Sequence, residues 1–457
     1  MKAESNSQTI YHNAIARLDR DLVDTYYKRG KAYLKLKNYA AALQDFDLVL
    51  KLNPHNTKAY LIRGFTYGEL KNFTQEIADY TEAIRLAPQL ATAYRSRGYA
   101  YGILGKYKLA IADFSRAIEI SPNYTQAYYN RGCTYQILGE HTAGIADFTQ
   151  VIQLHQDNST AYYHRGSLYN ILQNYPAAIA DFTAAIDLNP DLTTAYASRG
   201  KAYSMIGKGR QAIQDYRQAV LLAPQDWQSF YHLGNEYRQV KDYSLALASY
   251  TEVIRHQPQL IAAYLERGGI YGKIKEFRLA IADYSTAIEL NQNHAEAFYH
   301  RGNAYNFMQE YHQAIVEYNR CIELDCRHSN AYYNRGVTYS YLGKYPEAIA
   351  DYTEAATISP QSPLIYNNRG NAYKKLKAYQ QAIADYTQAI FYDPDYRDAY
   401  YNRGLVYHIL KDRQKCLKDL SLAAELFSKQ GKNLLAHQIL AKIKLLANER
   451  HLKVASR

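Results

Sequence analysis

Along this chain, small and large apolar residues recur three, four and seven positions apart, in short stretches that end at Gly, Lys or Asn and then at Pro. That spacing gathers the apolar positions on one side of a helix with 3.6 residues per turn. The stretches come in pairs, and the pairs repeat. Glycine stands at 30, 64, 98, 132, 166, 200, 234, 268, 302, 336, 370 and 404, a step of 34 residues without insertion or deletion over twelve copies. A fixed period of this size replaces the roughly three separate domains that 457 residues would otherwise suggest. Numbering each copy from seven residues before its glycine, copy one covers 23–56 and copy twelve 397–430. Only 22 residues precede the array and 27 follow it, so no second globular domain is expected in this chain.

Within a copy, Ala falls at position 3, Tyr or Phe at 4, Arg at 7, Gly at 8, Tyr at 11 and Leu near 14. Tyr or Phe follows at 17, Ala-Ile-x-Asp-Tyr/Phe at 20 to 24, Ala-Ile at 27 and 28, and usually Pro at 32. Copy ten carries the whole pattern: Ala331, Tyr332, Arg335, Gly336, Tyr339, Leu342, Tyr345, Ala348, Ile349, Asp351, Tyr352, Ala355 and Pro360. The break near positions 15 and 16 and the proline near 32 divide each copy into two helices. Pro176 and Pro346 fall at the start of the second helix, where a missing N–H costs little.

These residues resemble the tetratricopeptide repeat family, whose 34-residue helix-turn-helix carries W-x2-L-G-x2-Y, then A-x3-F, then P. The resemblance covers about 90% of the chain. It departs from the family in two systematic ways: Tyr or Phe replaces Trp at position 4, and Arg replaces Leu at position 7 in eleven copies. The resemblance implies an all-α, right-handed superhelical solenoid in which the first helix of each pair lines a concave groove. On this reading residues 1–22 form an N-terminal segment with a degenerate helix over 9–22, ended by a turn at Asp21-Leu22 like that at Asp191-Leu192. Residues 23–430 are the twelve repeats, and 431–457 a basic amphipathic cap with Leu434, Leu435, Ile439, Ile443 and Leu446 on its apolar side.

Tyrosine occurs 49 times against 12 Phe and 1 Trp, and 43 of the 49 fall at positions 4, 5, 11, 17 and 24. Those at 4, 11, 17 and 24 have core spacing and are expected to pack within and between repeats. Arginine beside the packing glycine needs a partner once buried. Position 23 is Asp in ten copies and Glu317 in copy nine; copy seven alone lacks both charges, with Leu233 and Ser249 in their places. The paired loss predicts an ion pair between the two helices of a repeat, Arg335 with Asp351 in copy ten. Copy seven also holds the single tryptophan, Trp227, and His256 in place of the usual Leu. It is either a softer joint between two six-repeat arms or simple drift, the latter the simpler reading.

The family's geometry turns positions 2, 5, 6, 9, 12 and 13 toward the groove. Position 5 gives Tyr27, Tyr129, Tyr163, Tyr231, Tyr299, Tyr333 and Tyr401. From copy four onward position 6 gives Asn130, His164, Ser198, His232, Glu266, His300, Asn334, Asn368 and Asn402, and position 9 adds Asn303 and Asn371. Neighbouring helices pack about 8–10 Å apart, while an extended peptide rises ~3.3 Å per residue. One asparagine per repeat therefore meets roughly every third peptide residue. Its amide offers a donor and an acceptor to a peptide backbone. The same residues on a merely solvated face would need no ligand, and the position 5 tyrosines fit inter-helix packing as well as ligand contact. Members that clamp a terminal carboxylate use Lys at 5, Asn at 9 and 6, Lys at 2 and Arg at 6 in successive copies. No copy here has Lys at 5 or Arg at 6, and only Lys58 sits at 2, so that clamp is not expected.

The net charge of +11 is uneven. Residues 397–457 carry 13 Lys and Arg against 5 Asp and Glu, whereas copies four to ten sum to −4. A basic track for nucleic acid is thus not expected in the middle of the array, and only the C-terminal end, with Lys432, Lys442, Lys444, Arg450, Lys453 and Arg457, keeps that alternative open. Cys321-x4-Cys326-x-His328 superficially suggests a metal site, but Cys321 fills the small core position 27 and Cys326 the proline position 32; no metal or cofactor is expected. No phosphate loop, nucleophile elbow or zinc-protease motif occurs, so no catalytic residue is expected. Four cysteines, no apolar run of about 18 residues and no leader-like start point to a reducing cytoplasm. The sequence therefore predicts a non-enzymatic scaffold that holds partner proteins, extended segments above all, in the groove. A nucleic-acid-binding repeat and a self-assembling solenoid are the alternatives, and the oligomeric state is left open.

Overall fold

A computed structural model describes the backbone of residues 2–454 and the side chains of 18–445. Twenty-five α-helices and no strand occur among the described residues. Each copy is a helix hairpin, such as Ser329–Tyr341 with Tyr345–Ile358 in copy ten. Two compact units divide the chain at Glu236 and Tyr237, inside the first helix of copy seven. Within each unit every hairpin packs on the next. No helix among the described residues is long and apolar enough to cross a membrane.

The break between the two helices has a backbone cause. Position 15 has positive φ in all twelve copies: Gly105, Gly139, Gly207 and Gly343 there are glycine, while Lys or Gln occupies it in the other eight, with φ between 57° and 67°. A left-handed residue stops the first helix, and only glycine adopts it without steric cost. Side chains of Asn38, Asn72, Asn174 and Asp242 then cap the second helix by accepting a backbone N–H three residues on.

Position 8 is glycine because of what it faces. A Cβ built on Gly336 would lie 2.9 Å from Tyr352 Cε1, and one on Gly30 2.7 Å from Phe46 Cε1. Nothing larger than hydrogen lets the two helices approach over the position 24 ring. Those rings are the largest fully buried side chains, among them Phe46, Phe114, Phe148, Phe182, Tyr216, Tyr250, Tyr318, Tyr352 and Tyr386. Alanines such as Ala348, Ala355 and Ala331 complete the core at full burial.

Arg335 lies beside this core. Its Nε and Nη2 donate to the two carboxylate oxygens of Asp351 at 2.8 and 2.6 Å. The same two-point pairing occurs in eleven copies, from Arg29 with Asp45 to Arg403 with Asp419. Burial pushes the Asp351 carboxyl above its ordinary range while the guanidinium pulls it back down. The guanidinium also covers the position 4 ring, with Arg335 Cζ 5.4 Å from the Tyr332 centroid. A third contact was not anticipated. Arg335 Nη1 donates to Asn319 Oδ1, at position 25 of the preceding copy, and nine other arginines do the same to Asp, Ser or Thr at that position. Ten of the eleven arginines, all but Arg29, thus tie the two helices of their own repeat to the repeat before it.

Two expectations at the ends need correction. The turn expected at Asp21-Leu22 is not formed: one helix runs Lys2–Lys35, since no residue there takes the left-handed conformation. At the other end, the helix Asn433–Val454 packs on copy twelve through Ala436, Ile439 and Ile443. Leu434 and Leu435 turn outward, 75% and 42% exposed, because Ala436 takes the inward face of that first turn. Leu446, Arg450, Lys453 and Arg457 lie outside the described side chains.

Removing one partner of the buried pair strands the other. Asp351→Ala is expected to cost about 3 kcal/mol in urea unfolding. Arg335→Leu combined with Asp351→Ser, the residues copy seven carries, is expected to recover more than half of that loss. A double-mutant cycle with no coupling would remove the pair from the account of stability.

Candidate functional site

The face that the resemblance assigns to the groove is built from the first helices. In copies nine to twelve the structure brings the expected asparagines together, but engages them with one another's repeats. Asn334 Nδ2 donates to Asn303 Oδ1 at 2.8 Å and to the Tyr299 hydroxyl at 3.2 Å. Asn368 Nδ2 donates to the Tyr333 hydroxyl at 2.6 Å, and Asn402 Nδ2 to Asn367 Oδ1 at 3.1 Å. In copies ten to twelve, position 6 thus reaches position 5 of the copy before. Asn303 and Asn371 in turn accept from the buried hydroxyls of Tyr318 and Tyr386. Lys374 Nζ donates to Asn402 Oδ1 at 3.0 Å, and burial holds that ammonium below its ordinary pKa. Tyr401 packs on the cluster around Tyr400, Leu420 and Phe427.

The histidines occupy the same position by stacking. His164 lies 5.3 Å from the Phe148 ring centroid, His232 5.5 Å from Tyr216 and His300 5.6 Å from Tyr284, each ring belonging to the preceding copy. Burial lowers the pKa of all three, which favours the neutral form. Tyr129 and Tyr163 pack edge-on and tilted against Phe148 and Phe182. Asn130 differs from the other asparagines: its Nδ2 is buried with no partner.

Beside exposed polar side chains such as Glu296 and Lys201, this face keeps an apolar row open to solvent. Position 13 exposes Ile137, Ile171 and Met205 in the first unit and Phe307 and Tyr341 in the second, between 53% and 70% exposed. Phe277 stacks on Phe307 at 5.4 Å and Tyr311 on Tyr341 at 5.6 Å, which holds those rings upright. Cavities lie between neighbouring first helices. One of about 290 Å³ is lined by Ile103, Tyr129, Asn130, Cys133 and Ile137, and another of about 280 Å³ by Ser340, Tyr341, Asn368, Asn371 and Lys375. The position 13 row was legible in the sequence as Ile-Ile-Ile-Met at successive 34-residue steps from Ile103, a signal the polar ladder overshadowed.

Burial pushes the Cys133 thiol up to about 11 and the Cys321 thiol to about 12, which leaves both without nucleophilic character. No group of three or more His, Cys, Asp or Glu among the described residues is placed to hold a metal ion.

Models of a known family match nearly the whole array. One described as tetratricopeptide repeat matches 57–90, 125–158, 193–226, 228–260, 261–294, 295–325 and 398–430. Two more of that description match 23–56 with 159–192, and 317–350, while one described as TPR repeat matches 98–139, 338–377 and 370–410. Among solved structures, YrrB, titled a TPR protein with an unusual peptide-binding site, is 21% identical over 40% of this chain and 95% of its own, with a TM-score of 0.38. Yeast Tom70 is 13% identical over 94% and 97%, at 0.41. The APC/C hetero-tetramer Cut9-Hcn1 is 14% identical over 92% and 96%, at 0.42. No curated protein matches the chain.

Asn303→Ala is expected to cost about 1–3 kcal/mol by leaving the buried Tyr318 hydroxyl unpaired. Adding Tyr318→Phe should return most of it in thermal unfolding. An additive double variant would mean the hydroxyl is satisfied elsewhere.

Proposed function

Since the chain belongs to the tetratricopeptide repeat family, we propose that it is a non-enzymatic scaffold whose first-helix face binds partner proteins, with extended segments taken by copies nine to twelve. The observation that carries this reading is the exposure of Phe307 and Tyr341, 70% and 67%, on neighbouring repeats. Large rings held upright in water cost hydration free energy that a partner's apolar side chains would recover. The asparagines have a changed part in this reading. Their amide N–H groups hold adjacent repeats, and the side-chain oxygen Oδ1 of Asn334 is left to accept a backbone N–H. Specificity then comes from the apolar row and affinity from a frame already rigid before binding.

The test is capture of partners from the source cell's lysate, with and without nuclease, by the intact chain and by Phe307→Asp with Tyr341→Asp. Circular dichroism first establishes that the variant folds. Partners lost from the variant support the face as the site. Partners retained by it move binding elsewhere on the repeats, and partners lost to nuclease alone transfer the case to nucleic acid bound by the basic C-terminal end.

A further inference from the structure

Position 20 is the small core position: it is Ala, Gly or Cys in eleven copies and Glu76 in copy two. The side chain of Glu76 is folded into the protein, 6% exposed. It fits because position 12 of the same copy is Gly68, where a Cβ would stand 2.9 Å from the carboxylate. It forms no ion pair among the described residues. The group beside it that favours its charged form is Tyr80, itself 3% exposed. A carboxylate has room for about four donors.

The carboxylate forms the floor of a cavity of about 500 Å³, the largest of the three described between neighbouring first helices. Phe65 and Phe73 wall it on the side of copy two, and Tyr99 and Ile103 on the side of copy three. The charged and titratable groups that face it are Glu69 and Lys71 from the end of the first helix of copy two, Tyr80 from the second, and Arg95 and Tyr99 from copy three. Glu69 is held in place by the Tyr39 hydroxyl at 3.0 Å. Arg95 lies 5.9 Å over the Tyr99 ring and leaves its Nε buried without an acceptor. The cavity therefore has an acceptor short of donors at its floor, a donor short of an acceptor in its wall, and aromatic faces between them.

We propose that this cavity is an anchor pocket for a basic side chain, arginine or lysine, of a bound peptide. The cationic head would meet Glu76 at the floor, with Glu69 as a second carboxylate near the mouth. The stem would lie against Phe65, Phe73 and Tyr99, where aromatic faces favour a cation. The main-chain carbonyl of the same residue would satisfy Arg95 Nε. This rests on the scaffold reading and gives it a partner chemistry: a segment with a basic residue that docks on copies two and three.

Burial and the neighbouring Glu69 raise the Glu76 carboxyl to about 7. Between its ordinary 4.5 and about 7 the folded chain holds a proton that the unfolded chain releases, so stability falls as pH rises through that window. Glu76→Gln is expected to remove this fall. A bound cation needs the ionised form, so affinity moves the opposite way and rises through the same window.

The experiment titrates the intact chain with the blocked peptide acetyl-Gly-Ser-Arg-Ser-Gly-amide by calorimetry at pH 6 and pH 8, alongside its citrulline analogue, which keeps the shape and loses the charge. Saturable binding is expected, tighter at pH 8, and weaker by about tenfold or more for citrulline and for the Glu76→Gln chain. Glu76→Ala restores the residue type of most other copies and should fold with an equal or higher Tm while also failing to bind. No binding at about 5 mM peptide, equal binding of citrulline, or binding untouched by either variant would overturn the proposal. The scaffold reading is judged separately, by the Phe307 and Tyr341 variant: if that variant loses partners while Glu76→Gln loses nothing, the pocket alone is discarded.

Discussion

The three-way contact made by ten of the eleven position 7 arginines is the constraint from which the rest of this structure follows. Two N–H groups fix the angle between the helices of a repeat, and the third fixes the repeat against the one before it. All the atoms involved sit beside the glycine and ring that allow the helices to touch. An inserted residue would rotate a helix by about 100° and break all three bonds together. That accounts for twelve copies without a single insertion. The pair is a poor source of stability on its own, since desolvation of Asp351 opposes it. What it supplies is register, because a guanidinium fork satisfied at every N–H but misplaced by a few ångströms would bury unpaired charge.

Copy seven tests this from within the chain. Leu233 removes the fork, Ser249 removes the carboxylate, and the preceding copy carries Arg217 where the others carry an acceptor. Three positions on three helices change as a set, and the two compact units divide in that same first helix. A frame set elsewhere by register leaves the remaining first-helix positions to vary without disturbing the fold. Tyr-Asn pairs, stacked histidines and the Glu76 cavity are alternative fillings of the same inter-repeat space.

Much of this was legible in the sequence, for reasons that differ by residue. The period and the core positions were open to reading because packing against a fixed neighbour admits few residue types. The Arg335–Asp351 pairing showed through one exception. The contact to Asn319 was missed, although Arg217 ahead of Leu233 signals it, because Asp, Ser, Thr and Asn all satisfy a single N–H and so leave no consensus. The asparagine ladder lies on the expected helices, but its amides also have partners within the fold that spacing did not reveal: an amide that suits a peptide backbone suits a neighbouring tyrosine hydroxyl equally. Spacing cannot choose between two partners of the same chemistry. The ends misled because a helix continues wherever nothing stops it, and a turn-like dipeptide at Asp21-Leu22 without a left-handed residue stops nothing.

Glu76 and Asp351 set out the difference between a charge that serves the fold and one that does not. Both are buried to within a few per cent of completion, at 6% and 5% exposed. Asp351 has a guanidinium aligned on both oxygens, a ring beneath it and a neighbour that completes the fork. Glu76 has Tyr80 beside it and otherwise faces a cavity. Desolvation with so little compensation means that the copy two carboxylate lowers the stability of the free protein, where most other copies place alanine. A buried charge that the fold does not use is most simply explained by a partner outside the fold, and its sign says what that partner brings.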